Sequence, residues 1–229
     1  MLWLALVLAL LGLLVYWELV IVEGAHLGPH VVVWLYDLVA PRYERIKKFD
    51  PAMEADLIGL PLSEALVALR VESPLVLDVA AGTGRTARAL LQQVAFDGTI
   101  FNLDLSARML AQGKCECAAW PERAHWLRAP AAGLPFADST FDAVTCLEAL
   151  EFFPQARAAL AECVRVLRPG GLLLVTNRVG WEAWLMPGRT FTRSGFRRLL
   201  AELPLEAVRV QPWQVEYDLG WVRKSWMSV

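Results

Sequence analysis

The sequence predicts an α/β protein built on one seven-stranded, mostly parallel sheet that closes with an antiparallel C-terminal hairpin and is preceded by an N-terminal membrane helix. Three observations carry that prediction. No residue from Met1 to Trp17 is charged. Leu75 to Val79 is a short β-rich run that feeds a glycine turn, Gly82-Thr83-Gly84, and then the helix-forming stretch TARALLQQV. From there strand-like and helix-like runs alternate, the pattern of parallel strands joined by crossover helices. With 229 residues and 25.5 kDa, the chain has room for one domain of ordinary size with an appendage, or for two small ones.

Composition narrows the function classes. Hydrophobic residues make up 56% without glycine, and mean hydropathy is +0.41; the usual apolar share is about 45–50% with glycine included. Disorder is excluded on that ground and membrane contact is favoured. A formal charge of −2 gives no general attraction to nucleic acid, so no nucleic-acid partner is expected. Cys115 and Cys117 are one residue apart, no second close pair follows, and the chain has three histidines. That is no zinc pattern; reduced structural thiols and no metal are expected.

In chain order, residues 1–22 come first. Leu19 to Val22 extend the apolar run past Glu18, and 22 residues of helix reach roughly 33 Å, about the thickness of the bilayer hydrocarbon. Trp3, Tyr16 and Trp17 suit interfacial positions. A secretory signal would need a basic start, whereas no Lys or Arg precedes Arg42, and a soluble core helix would carry a wet face. The segment is therefore read as a transmembrane or membrane-anchoring helix. Residues 23–70 are read as amphipathic lid or linker helices. Val31 to Ala40 is apolar apart from Asp37 and fits either the membrane surface or a lid over the main domain. Arg42, Arg45, Lys47 and Lys48 form the first basic cluster, which favours placing the domain on the cytoplasmic side. Pro61 to Arg70 reads as a helix.

Residues 71–229 are read as the nucleotide-binding domain. Gly82 and Gly84 lack Cβ atoms where a ligand must approach backbone, and Asp78 sets a carboxylate beneath the turn. A second strand, Thr99 to Asp104, ends in an acid 20 residues beyond Gly84, the distance at which open α/β sheets place a ribose-binding carboxylate. Taken alone, Gly82 to Ala87 also satisfies G-x-G-x-x-A, so a nicotinamide dinucleotide is the rival ligand. Asp78 weighs against it, because a pyrophosphate would meet a negative charge there. A sulfonium ligand with an amino-acid tail would welcome the same carboxylate.

The remaining elements follow the same alternation. Phe141 to Cys146 reads as a buried strand, Pro154 to Leu167 as a helix stopped by Arg168-Pro169-Gly170-Gly171, and Leu172 to Asn177 as the next strand. Phe191 to Leu203 makes one more helix. Two β-rich runs, Glu206 to Val210 and Gln214 to Leu219, are joined by an expected turn at Pro212-Trp213.

From about Tyr36 onward the chain resembles the class I S-adenosylmethionine-dependent methyltransferases (methyltransferase type 11), in the branch of the ubiquinone/menaquinone C-methyltransferases. The motifs that carry the resemblance are LDVAAGTGR, NLDLSARML, GLPFADSTFDAVTCLEAL and VLRPGGLLLVTN, in the family's order, with YDLVAPRY similar to its cofactor-covering segment. The resemblance implies a Rossmann-like fold and S-adenosyl-L-methionine as cofactor. It implies that Asp78, Gly82 and Gly84 hold the methionine part, Asp104 the ribose, and Leu105 and Met109 the adenine. Ala80, Thr83, Ala131, Leu147 and Tyr36 complete the implied cofactor set. Where the family has an acid before the alanine of its fourth motif, this chain has Pro130, which removes one adenine contact.

Methyl transfer from a sulfonium is an in-line displacement that needs alignment, desolvation and at most one proton removal. Glu148, Glu151 and His125 are the candidate bases, with Tyr36 and Tyr43 as hydrogen-bonding groups. Glu148 is preferred because it follows the fourth strand at the ligand-binding edge, Tyr43 is its expected companion, and His125 reads better as a strand residue. The late tryptophans Trp181, Trp184, Trp213, Trp221 and Trp226 fit an acceptor pocket, a bilayer-facing rim or ordinary core. Together with the anchor they point to a lipophilic small-molecule acceptor, a lipid head group or a quinone-like ring, reached at the membrane. The alternatives are an NAD(P)-dependent oxidoreductase and a non-catalytic nucleotide-binding module of the same fold.

Overall fold

The computed structural model describes residues 1–226; residues 227–229, the end of the expected nucleotide-binding domain, lie outside the described residues. Helix α1 (Leu2–Tyr16) runs on through a π-helical turn to Ile21. Helices α2 (Pro29–Val39), α3 (Tyr43–Lys47), α4 (Pro51–Glu54) and α5 (Leu60–Ala68) follow, and then strand β1 (Leu75–Val79) and helix α6 (Arg85–Leu91). The alternation continues through β2 (Thr99–Asp104), α7 (Ala107–Glu116), β3 (Ala124–Arg128), β4 (Phe141–Cys146), α8 (Ala156–Val166) and β5 (Leu167–Arg178). Helices α9 (Gly180–Trp184) and α10 (Arg193–Ala201) precede β6 (Leu205–Trp213) and β7 (Tyr217–Lys224).

The seven strands form one sheet in the order β3-β2-β1-β4-β5-β7-β6, with β7 antiparallel to both β5 and β6. The expected sheet and C-terminal hairpin are thus both present. Strand side chains alternate between two cores. Leu77, Val79 and Val144 pack with α8 and α10 through Leu160, Val164 and Leu199. Val76, Ile100 and Ala143 pack with the α5 and α6 side through Leu62, Leu66 and Leu90. Burial on both faces is why these strands read as apolar runs. Gly59 lets the second layer close, since a Cβ there would lie 2.1 Å from the Ala89 carbonyl oxygen. Cys117, Cys146 and Cys163 are buried in these layers and Cys115 is exposed, all as free thiols.

The hairpin turn differs from expectation. Pro212 and Trp213 belong to β6, paired with Asp218 and Tyr217, and the chain reverses at residues 214–216, where Gln214 takes a φ of 53°. Proline is tolerated because β6 is the edge of the sheet, where a missing N–H costs no ladder bond. The expected strand at Gln214 to Leu219 therefore starts at Tyr217 and runs on to Lys224. The glycine stop is also shorter than expected: α8 ends at Val166 and β5 begins at Leu167.

β1 sends its chain connections to β2 on one side and neighbours β4 on the other, so a crevice opens over the carboxyl ends of these strands. The apolar run Leu2–Ile21 has a mean hydropathy of 2.5, and its stretch Leu2–Tyr16 stands clear of this body. The foot of that helix does not stand clear. Val22 and Ala25 are buried with Met186, and Trp17, Ile21, Phe152 and Leu185 pack around them.

Candidate active site

A cavity of about 290 Å³ occupies the crevice and is walled on its open side by α2 and by Tyr43 and Phe49 of the following segment. Its floor is built by the β1–α6 turn. Ala80, Gly82 and Gly84 have φ of 58°, 54° and 77°, so the chain turns sharply enough to bring backbone to the cavity. Asp78 is buried beneath it, and its Oδ1 accepts from the Thr145 hydroxyl at 2.5 Å. Burial pushes the Asp78 carboxyl up to about 7, against the opposing pull of its hydrogen bonds to Thr145 and Thr86. The end of β2 supplies Asp104, which accepts from the Gly82 N–H at 2.9 Å and the Ser106 N–H at 2.8 Å, one on each oxygen. A carboxylate offers about four lone-pair sites, so each oxygen keeps one for a ligand hydroxyl. Burial pushes the Asp104 carboxyl up as well.

Leu105, Met109, Ala131 and Leu147 line the same cavity with Asp78, Ala80, Gly82, Thr83, Asp104, Tyr36, Tyr43 and Glu148. Gly84 is the exception among the expected cofactor residues. It lies outside the lining, and a Cβ on it would meet the Trp126 ring at 2.5 Å. Its job is to let α6 start against that ring. Pro130 sits on the wall beside Ala131, where it offers no donor.

The cover is held by acids that sequence reasoning left unassigned. Glu44 accepts from the Thr83 hydroxyl and makes two contacts with Arg88 Nη2, at 2.9 and 3.0 Å. Glu54 is ion-paired with Arg85, whose other arm reaches Glu148 Oε1 at 2.6 Å. Asp37 accepts from Arg108 N–H at 3.3 Å and, through the same oxygen, from the Ser106 hydroxyl. Arg85 also stacks over Phe49 at 4.6 Å and Trp213 at 5.2 Å. Arg85 lies within the glycine motif, and its place there was the one available signal. Its acidic partners lie 31 and 63 residues away in sequence, and nothing local marks them.

The catalytic candidates separate clearly. Glu148 is at the cavity with a φ of 52°, its N–H fixed to the Thr176 hydroxyl at 2.6 Å and Oε1 engaged by Arg85. Tyr43 is at the cavity too, and burial holds its phenol well above the usual range, so it is a neutral donor and no base. Tyr36 presents its ring, because its hydroxyl donates to Glu23 at 2.5 Å. Glu151 is buried outside the cavity, engaged by Arg178 at 2.8 Å and by the Tyr217 hydroxyl at 2.9 Å. His125 is an exposed residue of strand β3 with its ring tilted at 42° to that of Phe101, as its strand context indicated. Among the described residues no tryptophan lines the cavity, against the acceptor-pocket reading of the late tryptophans; Trp213 is buried against Arg85 instead.

This chemistry fits S-adenosylmethionine. Asp104 has spare acceptor positions for two hydroxyls, the Leu105–Met109 wall suits a flat base, and Asp78 lies where a cationic amino-acid end would neutralise it. Residues 77–175 match the protein family described as "Methyltransferase domain". The chain is 40% identical over 102 residues to the ubiquinone/menaquinone biosynthesis C-methyltransferase UbiE of Roseobacter denitrificans, covering 44% of this chain and 40% of that protein. It is 34% identical over 153 residues to the demethylmenaquinone methyltransferase of Lactiplantibacillus plantarum, covering 63% and 61%. The match thus spans less than two thirds of these relatives. Among solved structures, the [4+2]-cyclase SpnF has the same fold with a TM-score of 0.67 at 18% identity, over 86% of this chain and 96% of that one. The matched methyltransferase domain, the sheet order and the likeness to these relatives support a class I S-adenosylmethionine-dependent methyltransferase.

Proposed function

We propose that the protein is a membrane-anchored methyltransferase that transfers a methyl group from S-adenosylmethionine to a lipophilic acceptor carrying a quinone-like ring. The observation that carries this reading is the acceptor side of the cavity. Pro29, Val32 and Val33 of α2 face Phe152 and Phe153 across it, and α2 follows directly on the exposed apolar helix. The relatives named above for ubiquinone and menaquinone biosynthesis support a ring acceptor over a head group. The basic cluster at Arg42 to Lys48 supports a cytoplasmic placement of the domain.

Bound S-adenosylmethionine supplies a sulfonium methyl group whose leaving group is a neutral thioether. Asp104 and the Gly82 turn orient the nucleoside end, and Asp78 holds the cationic tail. The apolar wall excludes water and aligns the ring carbon with the methyl group. Tyr43, kept neutral, donates a hydrogen bond to an acceptor oxygen. Glu148, held in place by Arg85, receives the proton that leaves the acceptor once the new bond has formed.

Two alternatives make different predictions. A nicotinamide dinucleotide fold has an all-parallel 3-2-1-4-5-6 sheet, whereas here an antiparallel β7 separates β5 from β6. A non-methylating role is favoured by Pro130 and by the likeness to a cyclase. The test is to incubate the full-length protein in vesicles with labelled S-adenosylmethionine and demethylated quinones. Label in the quinone ring is expected; cofactor binding without label in any quinone or lipid would overturn the methyltransferase reading.

A further inference from the structure

We infer that α2 lies in the head-group layer of an anionic bilayer and separates the acceptor cavity from the lipid, so that the acceptor enters from the membrane surface beneath this helix. The inference rests on the membrane-anchored reading above and specifies its geometry. Each side of α2 has a different neighbour. Pro29, Val32, Val33 and Tyr36 line the cavity. Asp37 binds Ser106 and Arg108 of the α7 start. Val31 and Leu35 lie against Gly24, where a Cβ would meet them at 3.0 and 3.2 Å. The remaining side carries Trp34 and Leu38, both 54% exposed, with His30 one turn earlier. At 3.6 residues per turn, Trp34 and Leu38 point roughly 140–180° away from the cavity row. A lid helix of a water-soluble protein would carry charge on that side.

Three observations identify the occupant as lipid. The exposed side follows an apolar helix that is exposed from Leu2 to Tyr16, and the connection between them is short. The foot of that helix is fixed to the domain: Val22 and Ala25 are buried on Met186, and His26 Nε2 lies 3.2 Å from the Pro187 carbonyl oxygen. Just before Met186, α9 presents Trp181 and Trp184, the latter 86% exposed. Tryptophan is the residue of the membrane–water boundary. Arg42, Arg45 and Lys48 are exposed just after α2 and match an anionic head-group layer.

The test uses the full chain in vesicles of phosphatidylethanolamine and phosphatidylglycerol, in a Cys115→Ser background that removes the exposed thiol. Single cysteines introduced by Leu38→Cys, Trp184→Cys, Val94→Cys and Leu11→Cys carry an environment-sensitive fluorophore. All four sites are exposed, so labelling leaves the core intact. Val94, between α6 and the start of β2, lies toward the amino ends of the strands, away from the cavity at their carboxyl ends. Probes at residues 38 and 184 are expected to shift to the blue and to be quenched by lipids with a nitroxide near the head group. The probe at 94 should do neither, and the probe at 11 should be quenched by nitroxides deep in the acyl chains. If 11 is quenched while 38 and 184 behave like 94, the anchor stands and this inference falls. If 11 is not quenched, the anchored reading and the inference both fall.

Discussion

Asp78 and Asp104 are two carboxylates near the carboxyl ends of neighbouring strands, and their surroundings give them different tasks. Asp78 has its charge suppressed by burial until about pH 7, so between that value and lower pH it is mostly protonated in the empty site. A cationic ligand tail favours the ionised form. Affinity for S-adenosylmethionine should therefore fall as pH drops below about 7, approaching tenfold per pH unit while one proton must be released on binding. Calorimetric titrations across this range should show the slope, and Asp78→Asn should flatten it while weakening binding. Asp104 acts on both the ligand and the loop. Asp104→Ala leaves the Gly82 and Ser106 N–H groups without acceptors and removes the ribose contact. A loss of about 2–3 kcal/mol, roughly 30–150-fold in Kd, is expected by calorimetry. Both aspartates were legible in sequence because each ends an apolar strand at a fixed distance from the glycines. Glu44 and Glu54 were not, because an exposed-looking acid in a helical stretch carries no mark of its partner.

At the level of elements, the cover over the cavity is a set of short helices pinned by acids to basic residues and hydroxyls of the cofactor loop. Glu44 is the central pin, joined to Thr83 and Arg88. Its side chain is 30% exposed, so the pair is partly screened and contributes about 1 kcal/mol. Glu44→Gln should make the amides of α3 exchange about fivefold faster in hydrogen-exchange mass spectrometry, with β1 and β4 unchanged. Equal acceleration in the strands would mean that the pin supports the whole domain. Sequence periodicity located the helices of residues 29–68 only coarsely. Their boundaries depend on Asp50 capping α4 and on the Gly59 contact with Ala89, and the second is a meeting of segments 30 residues apart. The hairpin turn was misplaced for a related reason: proline signals a turn locally, but an edge strand accommodates it.

For the whole molecule, the boundary between helix and domain decides how the protein can be cut. A chain lacking residues 2–15 removes the part of α1 that contacts nothing, and should keep its melting temperature within a few degrees while losing vesicle association. A chain starting at His30 also removes Val22 and Ala25 and uncovers Met186. Losing that small cluster should cost about 2–4 kcal/mol, read as a drop in melting temperature of several degrees by calorimetry. Similar melting temperatures for the two would show that the foot of the helix is not part of the fold.

The sequence by itself determined the class of fold, the glycine turn, the two aspartates and an apolar N-terminal helix. Each of these is a local or periodic property: strand alternation with helices, residue spacing, absence of charge over several turns. The tertiary structure decided which acids hold the cover, that Gly84 serves Trp126 and not the ligand, that Glu151 is buried structure, and that α2 has one side on the cavity and the opposite side bare. These are relations between segments distant in the chain, and an apolar helix reads the same in sequence whether its neighbour is a ligand cavity, a turn of backbone or a lipid.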